Sequence, residues 1–241
     1  MSFEAKGRSI PAMELKHIWA RVGDREVFQD LSLASSARHI GLIGRNGSGK
    51  SSLLRLLQGL LTPQQGSIQI ERPVGLVFQN PDHQMLFPTV PEELTFGLTE
   101  RGVPPEDAKE QAIAIARRYS AENLVELATH ELSAGQKTLV CILAVLLDRP
   151  KTLLLDESFA NLDLVTGHQM TRVIQSLEAR VIFSTHQLHL LEGFDEVIWL
   201  DQGVVRLQGK PREVIDAYQT WAHAIGNGDT INPVPLGHSS C

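Results

Sequence analysis

The chain of 241 residues has only two cysteines, no run of lysine or arginine, and no long apolar stretch. Two cysteines, Cys141 and Cys241, do not suggest a disulfide framework of the kind found in small secreted domains. The longest apolar stretch, residues 139–147, is less than half of the roughly 20 residues that a membrane-spanning helix needs. A buried helix is the better interpretation of this stretch, and the two cysteines carry no predicted function.

The net charge of −6, without a basic stripe, excludes a general nucleic-acid-binding surface. Residues 1–8 lack the apolar core of a secretory signal peptide, so we expect a cytoplasmic protein. Hydrophobic residues make up 42% of the chain, which is ordinary for a globular core. The length suits one large α/β domain.

Residues 14–33 predict two strands around a turn at Gly23-Asp24. Residues 39–43 predict a short buried strand, 51–61 a helix with apolar residues at helical spacing, and 74–78 another buried strand. Helical patterns then dominate segment 81–149, with helices expected at 105–119 and 136–147.

Strands return at 152–155 and 181–184, followed by a hairpin at 197–207 and a last helix at 212–221. We therefore predict an α/β domain over residues 12–221, with the helical segment 81–149 inserted in its core. Residues 1–11 and 222–241 are expected to be flexible tails, the second because it is rich in glycine, asparagine and proline.

The string Gly44-Arg45-Asn46-Gly47-Ser48-Gly49-Lys50-Ser51 lies between the strand at 39–43 and the helix at 51–61. A strand, a glycine-rich turn and a helix are the context of a phosphate-binding P-loop, whose backbone N–H groups surround phosphates at a helix N-terminus. Lys50 is expected at the β- and γ-phosphates and Ser51 on Mg²⁺. The predicted nucleotide-binding residues here are Gly44, Asn46, Gly47, Ser48, Gly49, Lys50, Ser51 and Ser52.

Two carboxylates follow the apolar strand at 152–155. Asp156 is expected to hold Mg²⁺ through water, and Glu157 to orient and polarise the water that attacks the γ-phosphate. A polar strand end without function is the alternative for each of these residues taken alone.

The string Leu132-Ser133-Ala134-Gly135-Gln136 precedes Leu153-Leu154-Leu155-Asp156-Glu157 and follows the P-loop. With these three motifs the chain resembles the ATPases of ATP-binding cassette (ABC) systems over residues 12–220. The resemblance implies a RecA-like P-loop NTPase core, an antiparallel β subdomain, an inserted helical subdomain and ATP hydrolysis with Mg²⁺.

The resemblance also assigns roles to single residues. Gln79 would contact Mg²⁺ or the attacking water, and His186 the γ-phosphate. Ser133, Gly135 and Gln136 would contact ATP bound to a second copy of the chain, so that two copies form a head-to-tail homodimer around two ATP molecules. For His186, the weaker alternative is a metal site formed with His189 and Glu192.

Two departures from the family pattern bear on nucleotide binding. Ala134 stands where the family usually has a glycine. Alanine is harmless there if the residue is helical, but it is strained if the residue needs a positive φ. Val22 stands where many cassettes have an aromatic residue that stacks on adenine, so we expect weaker and less selective packing of the base, unless Trp19 or Phe28 supplies the stacking.

Residues 78–90 and 92–98 are similar to the ATPases of energy-coupling-factor (ECF) importers, which take up vitamins and transition-metal ions. Residues 96–102 most resemble the biotin branch, with the cobalt/nickel branch as its competitor. This implies a transmembrane coupling subunit, a substrate-binding membrane subunit, and a peripheral position on the inner face of the cell membrane.

A soluble ABC ATPase acting on DNA or ribosomes, and a non-hydrolytic regulatory subunit, are the alternatives to an importer ATPase. Met85, Leu86 and Phe87 form an apolar patch that is either a groove for a partner helix or part of the helical subdomain's core.

Overall fold

The computed structural model describes residues 12–227. Its first strands, β1 (Met13–Val22) and β2 (Arg25–Ser35), form the predicted hairpin around Gly23-Asp24. Strand β4 (Gln65–Ile70) pairs with the other edge of β1, which gives an antiparallel sheet in the order β2-β1-β4. This sheet is the antiparallel subdomain that the family resemblance implied.

A second sheet has six strands in the order β5-β6-β7-β3-β8-β9. They are β3 (His39–Ile43), β5 (Val74–Val77), β6 (Thr152–Asp156), β7 (Arg180–Ser184), β8 (Glu196–Asp201) and β9 (Val204–Gly209). All neighbouring pairs are parallel except β8 and β9. The carboxyl ends of β5, β6, β7 and β3 therefore meet at one edge, where α/β sheets bind ligands.

Within residues 12–227, six α-helices accompany the sheets. They are α1 (Lys50–Gln58), α2 (Val90–Glu100), α3 (Pro105–Arg118), α4 (Ala134–Leu147), α5 (Leu164–Gln175) and α6 (Pro211–Gly226). Short 3₁₀ turns occupy Pro81–His83, Glu122–Leu124, Thr129–Glu131 and Leu188–Leu191. Over the described range, no helix combines the length and the hydrophobicity that crossing a bilayer requires.

The parallel sheet separates two apolar clusters because alternate side chains of a strand point to opposite faces. In β6, Leu154 packs in one cluster with α1 and the antiparallel sheet, whereas Leu153 and Leu155 pack in the other with α2 to α6. Both faces of the sheet are thus covered, as expected of a parallel sheet. The predicted α/β fold class is confirmed.

Two predicted boundaries were too long. The helix predicted to reach residue 61 ends at Gln58, because Gly59 adopts a left-handed conformation with φ of 94° and donates its N–H to the carbonyls of Arg55 and Leu56. The strand predicted to include residue 78 ends at Val77, and the Phe78 side chain is 40% exposed.

The last helix was predicted too short. Helix α6 continues to Gly226, so residues 222–226 belong to the folded part, whereas the sequence predicted a flexible tail from 222. An aromatic cluster anchors it: the ring centroid of buried Trp199 lies 5.4 Å from that of Tyr218 and 5.1 Å from that of Trp221. The predicted flexible residues 1–11 and 228–241 lie outside the described residues.

Replacement of Trp221 by alanine should remove this anchor. Because Trp221 is only partly buried, we expect a loss of about 2 kcal/mol in the free energy of unfolding, less than for a fully buried tryptophan. Urea denaturation would measure it. His223→Ala, an exposed position two residues further along α6, should change stability by no more than about 0.5 kcal/mol. Equal effects of the two changes would contradict the anchoring role.

Candidate active site

The P-loop connects β3 to α1 at the carboxyl edge of the parallel sheet, as predicted. Gly44 has no room for a side chain, since a Cβ there would lie 2.0 Å from the carbonyl oxygen of Leu200. Gly49 has φ of 109°, a left-handed conformation that caps the N-terminus of α1. Ser48 Oγ is buried inside the loop and has no hydrogen-bond partner among residues 12–227. The loop therefore leaves a buried polar atom available for a hydrogen bond to a bound ligand.

Lys50 is the first residue of α1, and its side chain is only 4% exposed. Its Nζ donates to the carbonyl oxygens of Gly44 at 2.9 Å and Arg45 at 3.2 Å. Burial lowers the pKa of Lys50, and the neighbouring carboxylates of Glu157 and Asp156 oppose that shift. The ammonium group thus lies within the curve of the loop, where phosphate oxygens would meet it.

Ser51 and Asp156 come together at the same edge although they are far apart in sequence. The Ser51 hydroxyl donates to Asp156 Oδ1 at 2.9 Å. Burial raises the pKa of Asp156, and the hydrogen bond from Ser51 partly offsets the shift. A hydroxyl and a carboxylate side by side, next to a phosphate-binding loop, are the oxygen ligands that suit Mg²⁺.

Glu157 is the meeting point of the predicted catalytic residues. Its Oε1 lies 2.9 Å from His186 Nε2 and 3.4 Å from Lys50 Nζ, and its Oε2 accepts a hydrogen bond from Gln79 Nε2 at 3.3 Å. The backbone of Glu157 has φ of 49°, unusual for a residue with a side chain. Strain of this kind is concentrated at functional sites. The structure therefore brings all three predicted catalytic residues together with Lys50.

A cavity of about 450 Å³ opens beside the P-loop. It is lined by the predicted residues Val22, Asn46, Gly47, Gly49, Lys50, Ser51, Ser52, Gln79 and Glu157, and also by Arg25 and Val27. Val22 is 42% exposed and offers an apolar surface instead of an aromatic ring. Phe28 is fully buried, and a Cβ on Gly49 would lie 3.0 Å from its ring, so Phe28 is part of the core and does not line the cavity.

Arg25 is a cavity residue for which the sequence predicted no role. It is paired with Val22 across the hairpin turn, so the two residues stand side by side at the mouth of the cavity. Its guanidinium comes within 4.0 Å of where a Cβ on Gly47 would be. Such a planar cation can stack on a base or contact a phosphate. The predicted hairpin was the available signal, because it places residues 22 and 25 opposite each other.

The signature residues lie at the start of α4. Ser133 caps this helix: its Oγ accepts from the N–H of Gln136 at 3.3 Å, and Gln136 Oε1 accepts from the N–H of Ser133 at 2.8 Å. Ala134 is the first helical residue of α4 and is exposed, and its backbone does not have a positive φ that would strain a residue with a side chain. The substitution of the usual glycine is thereby accommodated.

Gly135 cannot vary in the same way. It is buried, and a Cβ there would lie 2.6 Å from Thr166 Cγ2 of α5. Ser133, Gly135 and Gln136 do not line the cavity beside the P-loop of their own chain. They are therefore not brought together with Lys50 and Glu157 within a single copy.

The alternative metal site at His186, His189 and Glu192 receives no support. Across the described residues, no group of three or more histidine, cysteine, aspartate or glutamate side chains is arranged to hold a metal ion. His186 instead contacts Glu157, as described above, and the His189 ring lies against that of His168, with 5.3 Å between centroids.

A P-loop at the carboxyl edge of a parallel sheet, with an acidic residue pair at the end of β6, one strand removed from β3, defines the chain as a P-loop NTPase. Comparison with known proteins narrows this class. Residues 28–160 match the profile of the ABC transporter family. The biotin transport ATP-binding protein BioM of Rhodobacter capsulatus is 37% identical over 219 residues, which cover 86% of this chain and 94% of BioM.

The energy-coupling factor transporter ATP-binding protein EcfA1 of Bacillus licheniformis is 32% identical over 86% of this chain and 80% of its own length. Among solved structures, CbiO1 of Clostridium perfringens, part of the ABC transporter complex CbiONQ, superimposes with a TM-score of 0.77 at 26% identity, covering 90% of this chain and 95% of CbiO1. The chain belongs to the ABC transporter family, as its ATP-binding and ATP-hydrolysing component.

The two signature positions provide a matched test of the packing at α4. Gly135→Ala should displace Thr166 or the start of α4 and lower the free energy of unfolding by about 1–3 kcal/mol, the cost of overpacking. Ala134→Gly should cost no more than about 1 kcal/mol, since it only loosens an exposed helix start. Thermal unfolding of the two variants measures the difference. A Gly135→Ala variant as stable as Ala134→Gly would contradict the described contact.

Proposed function

We propose that the chain is the ATPase of an ECF-type importer and powers the uptake of biotin or of a cobalt or nickel ion. The observation that carries this proposal is the joint presence of the Glu157 cluster and the similarity to BioM over 86% of the chain. The sequence identity of this chain to BioM is higher than its identity to CbiO1, so biotin is the first cargo to test. The similarity to transport ATPases also favours an importer over a soluble ABC ATPase.

Each site residue would have a separate role in ATP hydrolysis. The P-loop N–H groups and Lys50 would hold the phosphates, and the γ-phosphate would take the place of Glu157 as a partner of the Lys50 ammonium. Glu157 would then be free to accept a hydrogen bond from the attacking water and to polarise that water. His186 and Gln79, which already contact Glu157, would orient the carboxylate and sense the γ-phosphate.

Mg²⁺ would be held by Ser51, with Asp156 and Gln79 acting directly or through water. The ion supplies charge neutralisation to the phosphate oxygens when bound. The Ser51 hydroxyl and the Asp156 carboxylate, 2.9 Å apart, are the donor set that supports this assignment. Gln79 reaches the same edge of the sheet from the end of β5.

The active assembly would be a homodimer with ATP at the interface. Ser133 and the N-terminus of α4 are exposed and lie outside their own P-loop cavity, so a second copy is the natural source of the ATP that they contact. Leu164 and Val165, at the start of α5, are 62% and 67% exposed. These apolar side chains follow Asn161-Leu162-Asp163, which resembles the D-loop of ABC ATPases, a segment that crosses the dimer interface in that family.

Glu157→Gln tests the nucleotide chemistry. The amide cannot accept a proton, so we expect turnover to fall by at least ~10²-fold while ATP binding persists. The variant with ATP and Mg²⁺ should then remain a dimer in light scattering. Glu122→Gln, an exposed carboxylate on the helical segment, is the matched control and should hydrolyse ATP as the native chain does. Normal phosphate release by Glu157→Gln would refute the assignment of Glu157.

The membrane partners would contact the segment that follows Gln79. Within the patch 85–87 the residues differ: Met85 packs against the core, Phe87 lies 4.9 Å from Phe96 between ring centroids, and Leu86 is 70% exposed. The Glu93 carboxylate fixes the segment by accepting from the N–H groups of Leu86 at 2.8 Å and Phe87 at 3.0 Å. We propose that Leu86 inserts into a transmembrane coupling subunit, which works with a substrate-binding membrane subunit and holds the ATPase on the inner face of the membrane.

Leu86→Asp tests this contact. Since the side chain is exposed, the variant should fold and keep the ATPase activity of the isolated chain, but it should no longer copurify with its membrane subunits. Leu60→Asp changes a leucine that is 65% exposed just after α1 and should still copurify. Retention of Leu86→Asp on the membrane complex would place the contact elsewhere, and unfolding of the variant would show that Leu86 belongs to the core.

A further inference from the structure

A larger cavity lies at the opposite edge of the parallel sheet from the P-loop, with a volume of about 910 Å³. Three of its five basic residues stand where three neighbouring strands begin: Lys151 directly before β6, Arg180 at the start of β7, and Arg38 directly before β3. Backbone hydrogen bonds hold these strand starts in register. The N–H of Arg180 donates to Lys151 O, and the N–H of Val181 donates to Arg38 O, both at 2.8 Å. The cavity is therefore built into the sheet.

The lining carries a formal excess of positive charge in a chain whose net charge is −6. Five cationic side chains face two carboxylates, those of Glu71 and Glu178. Only one of the cations has a carboxylate within 4 Å among residues 12–227; the four without one are Arg38, Arg118, Arg149 and Lys151. Several exposed cations converging on one concave surface form an anion-binding environment.

Arg180 distinguishes this cavity from an ordinary solvated basic surface. Its side chain is only 8% exposed, its Nη2 lies 3.7 Å from Glu71 Oε2, and one guanidinium nitrogen bonds Ala37 O. Its Nε is buried and has no partner within the described part of the chain. The guanidinium is thereby held in a fixed position in the cavity wall, where its charge adds to that of the exposed cations.

The remaining lining is apolar and suits the body of a ligand. Ile115, Leu146 and Leu177 contribute aliphatic surface, and Tyr119 contributes a ring, with the Arg118 guanidinium carbon 5.7 Å from its centroid. The volume far exceeds that of a single phosphate, which occupies less than about 100 Å³, and falls in the range of small-molecule sites. We propose that this cavity binds a soluble metabolite that carries a phosphate group on an apolar or aromatic body.

This site is separate from the nucleotide site and independent of which cargo is imported. The proposal is tested on the full-length chain with its P-loop filled by saturating ADP and Mg²⁺, so that added phosphate compounds cannot bind there. Phenyl phosphate is titrated by calorimetry, with inorganic phosphate in a parallel titration. We expect saturable binding of phenyl phosphate, about tenfold tighter than inorganic phosphate because of the apolar lining.

The double variant Arg118→Gln, Arg149→Gln removes two exposed rim cations without touching the ATPase residues. It should weaken phenyl phosphate binding at least ~10-fold and leave ATP turnover and thermal stability unchanged. The control Arg172→Gln, Arg212→Gln removes the same charge outside the cavity and should bind as the native chain does. Absence of binding, or equal losses in both double variants, would overturn the proposal.

A sedimentation assay separates a soluble ligand from a lipid headgroup. If the ligand is a soluble metabolite, vesicles of phosphatidylcholine containing phosphatidic acid should not pellet the native chain through this cavity. Pelleting that the rim double variant abolishes, together with no binding of phenyl phosphate, would show a membrane-surface site and refute the soluble metabolite. Equal affinities for phenyl and inorganic phosphate would refute the apolar body.

Discussion

The contacts of the Glu157 carboxylate are the constraint on which the rest of the site depends. Lys50 comes from α1, Gln79 from the end of β5 and His186 from the segment after β7, and all three reach one carboxylate. The backbone of Glu157 holds a positive φ, and its N–H donates to Ser184 O at 2.9 Å on the neighbouring strand. The parallel sheet must therefore be in correct register before the proposed catalytic group can form, so the fold and the proposed chemistry depend on the same strand pairings.

Much of this edge could be predicted because its motifs are local. The P-loop needs only a strand, its glycines and a helix in succession, and Asp156-Glu157 needs only an apolar strand before it. The boundaries that failed depend on details outside the hydrophobic pattern. Gly59 ended α1 early because it takes a left-handed conformation, and α6 ran on past residue 221 because Trp199, distant in sequence, anchors its aromatic face.

The features that could not be predicted come from residues far apart in the chain. The exclusion of a side chain at Gly135 depends on Thr166, which no spacing rule links to it. The basic cavity joins residues from positions 38 to 180, each unremarkable in its own segment, and only the order β6-β7-β3 places them together. The net charge of the chain also did not indicate the basic cavity, because an acidic chain can still concentrate its cations on one concave surface.

A continuous set of contacts leads from the catalytic edge to the exposed Leu86. Asn80, next to Gln79, caps the turn at 81–83, and Asp82 of that turn lies 2.6 Å from Lys137 of α4. Glu93 then fixes the backbone at Leu86, as described above. Helix α4 begins with the signature residues, so this ion pair is a direct contact between that helix and the segment that carries Leu86. The proposed nucleotide contact of a second copy and the proposed membrane contact would therefore lie on elements that touch each other, which is the physical condition for coupling between them.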